Sequence, residues 1–193
     1  MFATNITKEE INELPLDRYQ GEIVIVDREA QLKNCIESIR KHKVVGFDTE
    51  TKPVFVKGQS NDVALVQIAI PEKVYLIRIN VLGLIQELIS LFENPNIIKV
   101  GVGLRDDLLF LNKMQPFKAK GFVEINEIVN KINIDANGLR KLTAIILGFR
   151  ISKNAQVSNW EAQTLNKKQE IYAATDAWVC LKMYNKLKQL ELI

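Results

Sequence analysis

Apolar positions along the chain follow two rhythms. EIVIV (22–26), VVGFDTE (44–50), VALVQIAI (63–70), KVYLIRI (73–79) and IIKVGVG (97–103) are short runs rich in β-branched residues and bounded by Gly, Pro, Asn or charge, which predicts strands. REAQLKNCIESIRKH (28–42), GLIQELISLFEN (83–94), LRDDLLFLNKM (104–114), EINEIVNKI (124–132), GLRKLTAIILG (138–148) and a long segment from about Lys168 to Leu190 repeat apolar residues at helical spacing. ITKEEI near the N-terminus carries a capping box, Thr7 with Glu10, and places Ile6 and Ile11 for a hydrophobic staple, so a short helix is expected ahead of Pro15. VVGFDTE, VALVQIAI and KVYLIRI follow one another closely and are expected to pair as an antiparallel meander, with the loop KPVFVKGQSND (52–62) between the first two. A mixed α/β sheet with helices on its faces is the expected architecture.

Composition narrows the class. The 193 residues, 47% apolar and 25% charged, suit one domain spanning 1–193, with residues 1–20 as a helical extension. No apolar run approaches the ~20 residues of a membrane span, and MFATNITKEEINELP lacks a basic region followed by an apolar one. Cys35 and Cys180 form no CxxC and fall in helical segments, which suits buried thiols in a reducing compartment, so a cytoplasmic location is expected. The net charge of +3 permits an anionic partner without requiring one.

Candidate chemistry begins at the end of VVGFDTE. Residues i and i+2 of a strand share a face, so Asp48 and Glu50 project together while Phe47 and Thr49 point the other way. A lone pair of acids there is equally a solvated strand end. On LRDDLLFLNKM, a rotation of about 100° per residue puts Asp107 within the arc of Leu104, Leu108, Leu111 and Met114, and Asp106 on the side of Lys113. First-turn acids also suit the helix dipole, whatever else they do. On the last helix, Tyr172, Asp176, Val179, Cys180, Met183, Leu187 and Leu190 share one face, which places an acid on a core stripe. An acid so placed needs an arginine, a hydrogen-bond network or a metal. Inward carboxylates from three segments, with the single histidine, His42, outside them all, suit hard cations such as Mg²⁺ or Mn²⁺. Two such ions about 3.5–4 Å apart serve phosphodiester hydrolysis in nucleases.

FDTET, GVGLRDDL and YAATDAW, in that order, with SNWEAQTLNKKQE ahead of the third, resemble the three motifs of the DnaQ-like (DEDDy) 3′→5′ exonucleases. The likeness runs from about Glu22 to Leu190 and is nearest to the exonuclease domain of the Werner syndrome helicase, with ribonuclease D more distantly similar. It implies a ribonuclease H-like fold and a two-metal mechanism releasing nucleoside 5′-monophosphates. By the resemblance, Asp48, Glu50 and Asp176 would hold the ion that activates water, Asp48 with Asp107 would position the second, and Tyr172 would orient the attacking water. The implied partner is a nucleic acid with a free 3′ end, DNA favoured over RNA, and a helicase could act in trans.

The chain departs from the Werner-like pattern where Thr51, Lys52 and Pro53 follow Glu50 and where Leu108 and Leu109 follow Asp107, because aromatic residues able to stack on terminal bases are expected there. Lys52, Lys57, Arg150 and Lys153 are candidates for phosphate contacts, or ordinary loop charges. Trp160 is expected in the core. Gly101 and Gly103 make half of a dinucleotide fingerprint whose third glycine is replaced by Asp106. Two other functions stay open: a catalytically silent nucleic-acid-binding module of the same fold, and a haloacid-dehalogenase-like phosphatase whose motif would want aspartate where Glu50 stands.

Overall fold

The computed structural model describes residues 2–54 and 60–193. A short helix, α1 (Lys8–Glu13), is closed by the expected capping box, in which Thr7 Oγ1 accepts from the Glu10 amide at 3.2 Å and Glu10 Oε2 accepts from the Thr7 amide at 2.8 Å. β1 (Glu22–Val26), α2 (Glu29–Ile39), β2 (Val44–Thr51), β3 (Val63–Ala69) and β4 (Lys73–Ile77) follow the predicted order. Then come α3 (Ile79–Leu82), α4 (Gln86–Phe92), β5 (Ile98–Gly101), α5 (Leu104–Met114), β6 (Phe122–Glu124), α6 (Ile125–Asn130), α7 (Leu139–Leu147) and α8 (Lys167–Gln189).

The strands form one mixed sheet in the order β1-β4-β3-β2-β5-β6. β2, β3 and β4 are the expected antiparallel meander, while β1 joins β4, β5 joins β2 and β6 joins β5 in parallel. β3 is buried at every position because both faces of the sheet are covered. Phe47, Val66 and Ile68 pack into one core with Leu32 and Ile36 of α2, Phe92 of α4 and Leu104 of α5. On the other face, Leu65, Ala69 and Leu76 meet Ala173, Ala174 and Ala177 of α8. Cys180, Met183 and Leu187 continue α8 into a third cluster with Val100 and with Leu142 and Ile146 of α7. Both cysteines are free and buried, as expected.

Two short elements escape the sequence pattern. β6 is three residues long, too short for a periodicity, and exists because Phe122, Val123 and Glu124 pair with Lys99, Val100 and Gly101. KVYLIRI stops being a strand after Ile77, where the buried guanidinium of Arg78 donates to the carbonyls of Ala162 and Gln163 and the chain turns into α3. The buried face of α8 is also wider than a single stripe, since the helix packs against both the sheet and α7, and Leu190 lies outside it as the exposed C-cap.

α8 lies very close to β2. Small alanines on the helix and Gly46 on the strand allow it, for a Cβ at Gly46 would run into the Ala177 carbonyl oxygen and press on Leu181 Cβ at 3.1 Å. This approach sets the height of Asp176 above the strand end. Gly46→Ala is expected to lift α8 and cost about 1–3 kcal/mol, the usual range for overpacking a dense interior. The urea midpoint should fall accordingly, and an unchanged midpoint would show that the helix has room to spare.

Candidate active site

Strand alternation puts Asp48 and Glu50 on the α8 side of β2, with Thr49 between them pointing to the opposite side. Helical phase puts Asp176 on α8 directly over them. Asp48, Glu50 and Asp176 each offer a carboxylate oxygen, and the three oxygens lie within 4.8 Å of one another. Glu50 is 8% exposed and Asp176 5%, while Asp48 keeps partial access to a cleft that it shares with Tyr172. Asp107 comes from α5, in the layer on the other face of the sheet. Its Oδ1 accepts a hydrogen bond from the Thr49 hydroxyl, so it reaches the strand end from behind and stands outside the three-acid group. It is half-buried, and its neighbour Asp106 is exposed.

Burial and mutual repulsion govern the charge of this group. Asp48 is held well above the usual carboxylate range, first by burial and then by Asp176 and Asp107, against a smaller opposing effect of a backbone hydrogen bond from Thr49. Glu50 is raised in the same way by burial and by all three aspartates. Burial lifts Asp107 to about 6 despite the Thr49 hydrogen bond, and Asp176 to about 7. The Tyr172 hydroxyl is close enough to favour the charged form of Asp176, without a hydrogen bond of normal geometry, and Asp176 Oδ1 is buried with no partner at all. Tyr172 itself is pushed far up by burial and by Asp176, Glu50 and Asp48, so it stays protonated. Among the described residues, no lysine, arginine or histidine nitrogen lies within 4.0 Å of any of the four carboxylates. Buried acids without a protein cation, one oxygen of them orphaned, and an all-oxygen donor set fit a hard divalent ion.

Other residues around the site carry no motif in the sequence. Thr49 holds Asp107 through a contact that only the packing of α5 on β2 creates. Gln67 stands opposite Asp48 in the β2–β3 register and is 0% exposed, with neither amide atom bonded; its only sequence signal is a polar residue inside an apolar run. Glu124 Oε2 accepts from the amides of Gly103 and Leu104, each at 2.8 Å, so the protein's own carboxylate fills the turn that the half-fingerprint Gly101 and Gly103 suggested for a dinucleotide. Lys52 pairs with Glu161 at 3.0 Å, and Arg150 Nε donates to the Leu14 carbonyl at 3.0 Å, which gives both residues structural work. Lys153 lines the cleft, and Lys57 lies outside the described residues. Trp160 is fully buried in the α8 layer, as expected of a core anchor, with its ring 6.0 Å from that of Tyr172.

Comparison with known proteins decides the family. A family model described as 3′-5′ exonuclease matches residues 23–191. The chain belongs to the 3′-5′ exonuclease family. Among curated relatives of this exonuclease-family chain is the bifunctional 3′-5′ exonuclease/ATP-dependent helicase WRN of Mus musculus, 33% identical over 187 residues that cover 92% of the chain and 13% of the mouse protein. The chain therefore spans a small fraction of that relative's length. In fold it superposes on the Nibbler EXO domain of Aedes aegypti with a TM-score of 0.80 at 22% identity, covering 91% of this chain and 93% of the other. It superposes on Trypanosoma brucei RNase D in complex with RNA U12 with a TM-score of 0.76 at 20% identity, covering 92% and 63%. The mixed six-stranded sheet is thus the ribonuclease H-like fold of RNase D and related exonuclease domains. No described helix is long and apolar enough to cross a membrane.

The raised acids predict a pH dependence. Asp176, at about 7 in the folded chain against ~3.9 for a free aspartate, keeps a proton that the unfolded chain gives up. Its stabilising contribution is full below about pH 4, declines as pH rises, and is gone above about pH 7. In chelator, Asp176→Asn should therefore melt higher than the parent at about pH 8, with the gap closing towards about pH 4. Thermal melts across that range check it; a variant less stable than the parent at the alkaline end would mean that the Asp176 charge has a partner in the protein.

Proposed function

We propose that this chain hydrolyses the terminal phosphodiester at the 3′ end of a nucleic-acid strand and releases nucleoside 5′-monophosphates. The observation that carries this reading is the group of three converging carboxylates, two of them buried, delivered by β2 and α8 and lacking any protein cation among the described residues, within a member of the 3′-5′ exonuclease family. Asp48, Glu50 and Asp176 would ligate divalent ions, Mg²⁺ or Mn²⁺, and Asp107, steadied by Thr49, would complete a second position from the other face of the sheet. Two bound ions supply Lewis acidity, lowering the pKa of an attacking water and offsetting charge on the leaving oxygen. Tyr172, protonated at working pH, donates a hydrogen bond rather than removing a proton, so its part is to orient water or the scissile phosphate in the cleft.

The depth of Asp176 and Glu50 beside a cleft bounded by Tyr172 suits a single strand end better than continuous duplex, because the reacting phosphate must approach carboxylates that lie beneath α8. DNA is the substrate favoured by the sequence resemblance; the RNA held by trypanosome RNase D, a protein of the same fold, supports RNA as the second reading.

Digestion of 3′-ended DNA and RNA strands, labelled at the 5′ end, with Mg²⁺, Mn²⁺ or chelator tests the assignment. Stepwise shortening that needs the metal is expected. Asp48→Asn and Asp176→Asn should abolish it, and Tyr172→Phe should slow it by about 10²-fold while leaving metal affinity in place. Aspartate variants that digest as fast as the parent would refute the reading.

A further inference from the structure

The cleft that holds the acids also has a basic wall. Lys8, Arg140, Lys141 and Lys153 line the same cavity, of about 690 Å³, as Asp48, Glu50 and Asp176. Among the described residues none of these four cations has an acidic partner within 4.0 Å. Arg140 donates to the amide oxygen of Asn12 at 3.1 Å and Lys141 to that of Asn5 at 3.3 Å, and both acceptors are neutral. Burial and neighbouring acids raise Asp48 and Glu50, burial raises Asp176, and no cation is among the causes for any of the three. One cavity therefore carries two sets of charge that do not neutralise each other. A strand of phosphodiesters with its divalent ions satisfies both sets, whereas a cation alone answers only the acids and an anion alone only the basic wall.

Lys8 and Ile11 enter this wall from the N-terminal segment, which lies ahead of the family-matched span 23–191. The segment is fastened at several points. The Asp135 amide donates to the Thr4 carbonyl at 2.7 Å, the Asp17 amide to the Arg150 carbonyl at 3.0 Å, and the Arg150 amide to the Pro15 carbonyl at 2.9 Å. The Tyr19 amide donates to Thr175 Oγ1 at 3.0 Å, next in sequence to Asp176. Ile11 is buried, so α1 is seated by its apolar side with Lys8 left on the cavity.

We propose that residues 4–19 are a working wall of the substrate cleft, and that Lys8, with Arg140 and Lys141, grips backbone phosphates of the bound strand. This rests on the exonuclease reading and adds to it the surface that holds the strand.

Binding of a fluorescein-labelled single-stranded DNA, followed by anisotropy over a salt series with chelator present so that nothing is cut, tests the grip. Removing one cation that neutralises a phosphate should make the slope of log affinity against log salt shallower by about 0.7. Lys8→Gln should lose one such step, Lys8→Arg should keep it, and Lys8→Gln/Arg140→Gln/Lys141→Gln should weaken binding by about tenfold or more. Lys188→Gln, the same charge change on the exposed last turn of α8, should leave the slope alone. The Lys8 side chain makes no hydrogen bond or ion pair with the described residues, so its single variants carry little folding risk. Equal slopes for the parent, Lys8→Gln and the triple variant would overturn the proposal. A parent that binds with the full slope yet trims no strand would support the grip and refute the proposed reaction.

Discussion

Carboxylates crowded at the end of β2 repel one another, and burial denies them the water that would screen the repulsion. Among the described residues no cation offsets this. The interior places no arginine or lysine beside Asp176, whose Oδ1 has no partner, and the nearest hydroxyl belongs to a tyrosine that burial keeps protonated. Such an arrangement persists only because packing elsewhere holds it in place. Gly46 and the alanines of α8 supply that packing by drawing helix and strand together until the acids above and below share one space.

The sheet also lets the site be built from both of its faces. β2 sends Asp48 and Glu50 towards α8 and Thr49 towards α5, so consecutive residues of one strand organise acids from two separate layers. Phe47, one residue earlier, is fully buried with Phe92 and Phe122, edge to face at 5.7 and 5.2 Å, which anchors the strand immediately before its polar end. Cations on the N-terminal segment and at the start of α7 then stand in the same cavity as the acids without pairing with them, and the proposed strand grip rests on that separation.

Much of this is legible from local pattern. β3 and α8 are long and apolar enough for periodicity to place them, and strand alternation alone puts Asp48 and Glu50 on one face with Thr49 opposite. Helical phase separates the half-buried Asp107 from the exposed Asp106. It does not show that Asp107 stops at Thr49 rather than joining the other three acids, because that depends on where α5 docks. Lys52 reads as a free loop cation, yet its partner Glu161 is more than a hundred positions away in sequence. The N-terminal helix is predicted from its capping box, but the backbone bonds that fasten its flanking residues to Arg150 and Asp135 leave no mark on side-chain pattern.

On the proposed reading, divalent ions are the counter-charge for this carboxylate group. Calorimetric titration of Mn²⁺ into the parent protein near pH 7, repeated in buffers of different ionisation enthalpy, tests this directly. Because Asp48 and Glu50 are raised well above their ordinary values and Asp176 to about 7, ion binding should expel protons, and the observed heat should change with the buffer. Heat of dilution alone, or binding that releases no protons, would contradict it.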